Sequence, residues 1–205
     1  MTCNRAYSFI LALCLSFSSA WAEEIRQSFK QDNYQDSMKA PSFLKFDMHS
    51  SKMGIISSSF TGVVKEFNIQ GDFDKKSERV NAGKIQFNVS AMDTDTDARN
   101  HKMWEFCLNH SEFAEINVLL LSPIVLNDKQ EQEIDASIDI RGKKKGLVLK
   151  LKSERWGDEF IIQGSTDASF SALEIPDPSI FIAKMQDAFK INFKVLLKRP
   201  AAASK

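Results

Sequence analysis

Apolar residues return at every second position through most of this chain. Leu44, Phe46 and Met48 alternate with Lys45, Asp47 and His49, and Ile85, Phe87 and Val89 alternate with Lys84, Gln86, Asn88 and Ser90. Ile134, Ala136, Ile138 and Ile140 alternate with acids and Ser137, and Leu147, Leu149 and Leu151 with Val148, Lys150 and Lys152. Phe160, Ile162, Gly164, Thr166, Ala168 and Phe170 share one face of a further segment, and Phe189, Ile191, Phe193, Val195 and Leu197 share one face of the last. A period of two predicts half-buried antiparallel strands, dry on one face and wet on the other. Three stretches are less regular. Lys52 to Phe73 carries Gly62 and Gly71, which predicts bends or bulges in a long, curved strand pair. Ile116 to Leu126 is apolar on both faces near Leu119 and Leu121, so part of its outer face is expected to be covered. Leu173 to Gln186 holds Pro176 and Pro178 and reads as a loop with a short helical turn. Such a set, mostly joined by short connections, closes most simply into an all-β antiparallel barrel of about eight strands.

One segment breaks the pattern. The acidic turn Asp93-Thr94-Asp95-Thr96-Asp97 precedes Met103, Phe106 and Cys107 at helical spacing, one face of about three turns. Asp97 is placed to cap that helix, and Asp93 and Asp95 favour its positive end. Trp104 flanks the apolar face. The helix is expected to pack over one opening or side of the barrel.

The start of the chain sets an expected address. Arg5 is the only charge before Glu23, an apolar run follows from Phe9 to Phe17, and small residues lead to Ala20-Trp21-Ala22. This is the pattern of a signal peptide over residues 1–22, cut after Ala22, and it predicts a periplasmic protein. The run is short for a membrane anchor, and no later segment is long and apolar enough to cross a bilayer. Residues 23–41 read as a flexible polar lead, residues 42–199 as the barrel, and residues 200–205 as a disordered tail. Removing Arg5 from 27 basic residues leaves 26 against 27 acidic ones. A neutral balance gives no support for nucleic-acid binding. The run Lys143-Lys144-Lys145 sits between two strand patterns and reads as a solvated turn. Cys3 and Cys14 leave with the signal peptide, so Cys107 alone remains and no intramolecular disulfide can form. It is expected to be a small buried thiol.

Catalytic candidates are weak. The acidic turn resembles the start of a calcium loop, but Ala98 and Trp104 stand where Gly and a carboxylate are needed. His49, His101 and His110 lack zinc-site spacing to a Cys or carboxylate. No phosphate loop or nucleophile elbow stands out, and Glu133, Asp135 and Asp139 fall on a wet strand face. The surplus is apolar. The mature chain is rich in Phe, and many of these point to the dry faces, where they either fill a core or line a cavity; an eight-stranded barrel stands at the boundary between the two.

Asp93-Thr94, Arg99, Met103 and Cys107-Leu108, then Phe113 and the strand from Ile116, carry a resemblance, over Ser42 to Leu197, to the polyisoprenoid-binding YceI-like family of secreted bacterial proteins. It extends to the hairpin Gly142-Lys143-Lys144-Lys145-Gly146-Leu147 and to the closing segment Asp187 to Leu197. Glu115 stands where the family usually has Pro. Arg99-Asn100-His101-Lys102-Met103 replaces the family's Arg-Asp-x-His-Leu, and the spacing from His49 to Gly62 is longer than usual. These departures suggest a divergent branch. The resemblance implies a lipocalin-like barrel holding an isoprenoid or similar amphiphilic lipid, such as a quinone tail. No other cofactor, metal or catalytic residue is implied. Phe46, Met48, Phe67, Phe87, Val89, Ile138, Leu149, Ile162 and Phe193 are the expected dry lining, with Trp104 near a rim. The runner-up is a non-enzymatic interaction or assembly protein with a filled barrel core. An enzyme or metal protein ranks below both. Oligomeric state is left open, a homodimer included.

Overall fold

Each period-two segment becomes a strand, and the interruptions become bends. The computed structural model describes residues 22–52, 56–181 and 183–199. The expected signal peptide through Trp21 and the expected tail at 200–205 lie outside the described residues. The chain runs β1 (Ala22–Lys30), α1 (Tyr34–Lys39), β2 (Phe43–Lys52), β3 (Ile56–Val64), β4 (Glu66–Asp74) and β5 (Arg79–Asn88). A single 3-10 turn, Val89–Ala91, leads to β6 (Met92–Asp93) and α2 (Asp97–His101), which continues as a π-helical stretch, Lys102–Cys107. Then follow β7 (Glu115–Leu120), β8 (Ile124–Val125), β9 (Gln132–Ile140), β10 (Lys143–Trp156), β11 (Glu159–Ser169), β12 (Ala183–Met185) and β13 (Ala188–Lys198).

All thirteen strands of the described residues join one antiparallel sheet in the order β1-β4-β5-β7-β9-β10-β11-β13-β2-β3-β6, with β12 beside β2 and β8 beside β5. The sheet curls back on itself, because β3, paired with β2, runs through Lys65 directly into β4, paired with β5. At that bend the Lys65 N–H donates to Ala91 O and its carbonyl accepts from the Gln31 N–H, both at 2.8 Å, so the bent backbone stays paired. The strand count exceeds the expected eight. The surplus consists of β1, of β4 and β6, which continue β3 and β5 past a bend, and of the short β8 and β12.

The lead at 23–41 departs from its expected flexibility. β1 pairs with β4 from Ala22↔Asp74 to Lys30↔Glu66. Ile25 is buried, and Phe29 stacks on Phe67 with ring centroids 4.7 Å apart. Between them Gln27 donates to Leu196 O at 2.7 Å and accepts from the Lys198 N–H at 3.0 Å, tying β1 to β13. With a glutamine at the middle inward position, only two apolar residues marked this strand. In α1, Asn33 caps by accepting from the Asp36 N–H at 2.9 Å, and the Tyr34 hydroxyl donates to Thr61 O at 2.9 Å.

Two other expectations change. Leu119 of β7 and Leu121 just after it are 40% and 65% exposed, so among the described residues nothing covers them. Lys143 and Lys145 are not free in a solvated turn. They begin β10 and both donate to the carboxylate of Glu174.

The core divides into two clusters. One gathers Phe67, Phe73 and Phe160 with Leu151 and Val195. The other packs Phe46, Met48, Val89, Ile138, Phe170 and Phe189 against Cys107 and Leu108 at the end of the helix. Close backbone approach sets the layout at one point. Gly62 of β3 faces Phe46 of β2, and a Cβ there would lie 2.0 Å from the ring's Cζ. Only glycine lets that ring lie across the strand.

Candidate functional site

The helix is set in place by one buried amide. Asn100 accepts through Oδ1 from the Thr94 N–H at 2.8 Å and the Thr94 hydroxyl at 2.7 Å, and its Nδ2 donates to Asp93 at 3.0 Å. Asp93 also accepts from the Asp95 N–H at 2.9 Å and pairs with Lys65 at 3.1 Å. Burial opposes the charge on Asp93, but these partners outweigh it and hold the carboxyl below its ordinary pKa. The acidic turn is thus structural. Thr96, rather than Asp97, occupies the N-cap position, without a side-chain bond to the first turn.

The helix also differs from expectation in which face it buries. From Lys102 it widens to π spacing, and the Leu108 N–H donates to Met103 O at 2.9 Å, five residues back. Widening turns Phe106 outward, to 52% exposure, and brings Met103, Cys107 and Leu108 inward. Burial pushes the Cys107 thiol up to about 11. Trp104 packs beside the helix and donates its indole N–H to Met92 O at 3.0 Å.

Inside the curled sheet lies a cavity of about 620 Å³. That is within the range of about 300–1,000 Å³ that small-molecule sites occupy. Its wall draws on both core clusters and on the helix. Of the expected lining, Phe46, Met48, Phe87, Ile138, Leu149, Ile162 and Phe193 face it. Phe67, Val89 and Trp104 do not. Phe67 is taken up by its stack on Phe29, Val89 is buried in the 3-10 turn after β5, and Trp104 is turned to Met92. The core is therefore lined around an open space rather than closely filled there.

Sequence reasoning missed the polar part of the wall. Ser50 and Lys52 of β2, Ser58 of β3, and Thr96, Arg99 and Lys102 of the helix all face the cavity. Strand parity carries a signal for the first two, because they continue the inward series Leu44, Phe46, Met48. Phe60 likewise shares the parity of Gly62 and Val64. No such signal existed for Arg99 and Lys102, whose placement depends on the shift to π spacing.

Arg99 is the most constrained of these. Its Nη2 donates to Thr94 O at 2.6 Å and to the Thr96 hydroxyl at 2.9 Å, and its guanidinium lies 3.9 Å over the Phe60 ring. Its Nε is buried without an acceptor among the described residues. Burial pulls its pKa below the ordinary value, and the charges of Tyr34 and Asp95 only partly offset this.

Among the described residues no group of three or more His, Cys, Asp and Glu side chains converges. No helix among them is long and apolar enough to cross a membrane.

Comparison with known proteins gives a family and a set of structural relatives. The YceI-like domain matches residues 34–197. A polyisoprenoid binding domain from Saccharophagus degradans, implicated in plant cell wall breakdown, superposes with a TM-score of 0.59 at 13% identity, covering 78% of this chain and 94% of that one. BcnA of Burkholderia cenocepacia gives 0.60 at 16% identity over 76% of this chain and 96% of its own. The YCEI protein of Campylobacter jejuni gives 0.55 at 14% identity over 68% and 85%. No curated protein matches the chain.

Proposed function

The chain belongs to the YceI-like domain family, and on that premise we propose that it is a periplasmic binding and carrier protein for an isoprenoid or similar amphiphilic lipid held in the cavity. The observation that carries this is the largely apolar interior space of about 620 Å³, walled by seven of the expected dry residues. An apolar tail gains from such a wall. Each buried CH₂ contributes about 0.8 kcal/mol, so a tail of about ten buried carbons gains roughly 8 kcal/mol, near micromolar affinity before ordering costs. A quinone tail or a plain polyprenol satisfies this equally. That one structural relative is a polyisoprenoid binding domain supports the choice of cargo class.

The periplasmic address rests on the leader pattern, Arg5 followed by the apolar run and Ala20-Trp21-Ala22. A cut after Ala22 leaves the pairing of Glu23 through Lys30 with β4 intact. The work proposed is binding and transfer, without bond chemistry. The test is titration of the delipidated protein with geranylgeraniol, followed by calorimetry and native mass spectrometry. Saturable one-to-one uptake supports the carrier, and no uptake of this, of longer polyprenols or of their phosphate- and carboxylate-headed counterparts refutes it.

A further inference from the structure

The charged residues on the cavity wall are all of one sign. Lys45, Lys52, Lys84, Arg99 and Lys102 reach it, and among the described residues no Asp or Glu does. Two of the five are engaged elsewhere. Lys45 donates to Met38 O at 2.9 Å, and Lys84 donates to Gln86 at 3.1 Å. Of the other three, Arg99 and Lys102 lie three residues apart on the helix, with Arg99 over Phe60 of β3, and Lys52, itself exposed, ends β2. Lys52 and Lys102 make no ion pair or hydrogen bond among the described residues, and Arg99 bonds only to the neutral Thr94 and Thr96 oxygens. Asp177 is close enough to sense Lys102, but its carboxylate accepts from the Ser179 N–H at 2.8 Å and does not face the cavity.

A partly buried guanidinium whose neighbouring carboxylate, Asp95, only partly offsets its burial is expensive. The apolar wall around it lowers the local dielectric and strengthens any attraction to an anion. Arg99 is also held still, by its two threonine bonds and by the Phe60 ring under it, so a ligand would not have to order it. Ser50, Ser58 and Thr96 add hydroxyl groups beside the cations. Resting on the carrier reading above, we infer that the cargo carries an anionic head, a phosphate or a carboxylate, and that Arg99, Lys102 and Lys52 receive it while the tail lies along the apolar wall. A neutral quinone or alcohol head would leave the half-buried Arg99 with only the partial compensation that Asp95 gives.

Two matched pairs of probes test this on the delipidated protein: geranylgeranyl phosphate against geranylgeraniol, and palmitate against hexadecanol. The expected result is a preference for the charged member of at least one pair of about tenfold or more, shrinking as salt is raised. Preference in the first pair alone identifies a phosphate-terminated chain, and preference in the second alone a fatty acid. Arg99→Gln should collapse the preference ratio to within about threefold. Because Arg99 also ties the Thr94 turn, Lys102→Gln is the second variant. It breaks no hydrogen bond among the described residues and should reduce the ratio while circular dichroism stays native. Equal affinity for charged and neutral members overturns the inference and leaves the carrier reading standing. Failure of all four probes to bind overturns both.

Discussion

Replacing Ile138 with tryptophan puts bulk where the cargo is proposed to lie. Ile138 is buried two residues before the end of β9, between Val118 of β7 and Lys145 of β10, and faces the cavity. Indole adds about six heavy atoms to the isoleucine site and displaces about four CH₂ groups of a bound tail, a loss of roughly 3 kcal/mol. That is about a 200-fold rise in Kd. Overpacking a filled core usually costs about 1–3 kcal/mol. Here the ring has about 620 Å³ of open space to enter, so the melting temperature should fall by only a few degrees. Calorimetric titration with a polyprenol measures the first quantity, and thermal melting followed by circular dichroism the second. Unchanged affinity would show that the tail does not run past Ile138. A collapse of the strand signal would show that the space is not available.

Other perturbations separate wall from core. Phe67→Ala should cost about 3–5 kcal/mol and lower the melting temperature by roughly 10 °C, because Phe67 is fully buried and stacked on Phe29. Its effect on ligand affinity should be much smaller than that of Ile138→Trp, since it does not face the cavity. Cys107, with its thiol pushed up to about 11, should react slowly with iodoacetamide at pH 8, where roughly one part in a thousand is thiolate. Denaturant should restore a normal rate, and bound lipid should slow the native rate further. Glu174 is held at about 2 by Lys143 and Lys145, against an ordinary 4.5. A depressed carboxylate favours the folded state above the unfolded value, so its contribution is present above about 4.5 and is lost as pH falls toward 2. Carbon-detected NMR titration should place its midpoint near 2, and Glu174→Gln should remove that part of the acid sensitivity.

The sequence made the strands legible because period two is a direct record of which face is dry. β2, β9, β10, β11 and β13 follow their apolar series closely. β1 was hidden because Gln27 sits where the pattern calls for an apolar residue, and its bonds to β13 appear only in three dimensions. The helix was visible as an interruption, but its buried face was not. Spacing of i, i+3 and i+4 assumes α geometry, and the π stretch replaces it with the five-residue step from Met103 to Leu108. The same limit governs the cavity. Parity says which side chains point inward, yet Phe67 points inward and is closed off by Phe29. Whether inward residues meet or stand apart is set by sheet curvature and by contacts such as Phe46 over Gly62. No local pattern records these.

The most direct measurement is lipid extraction and mass spectrometry of the protein purified from its own organism. The account predicts a near-stoichiometric amphiphile with an isoprenoid or acyl tail and an acidic head, released only on denaturation. A protein that carries no lipid as isolated, and takes up neither geranylgeraniol, geranylgeranyl phosphate nor palmitate afterwards, would contradict it.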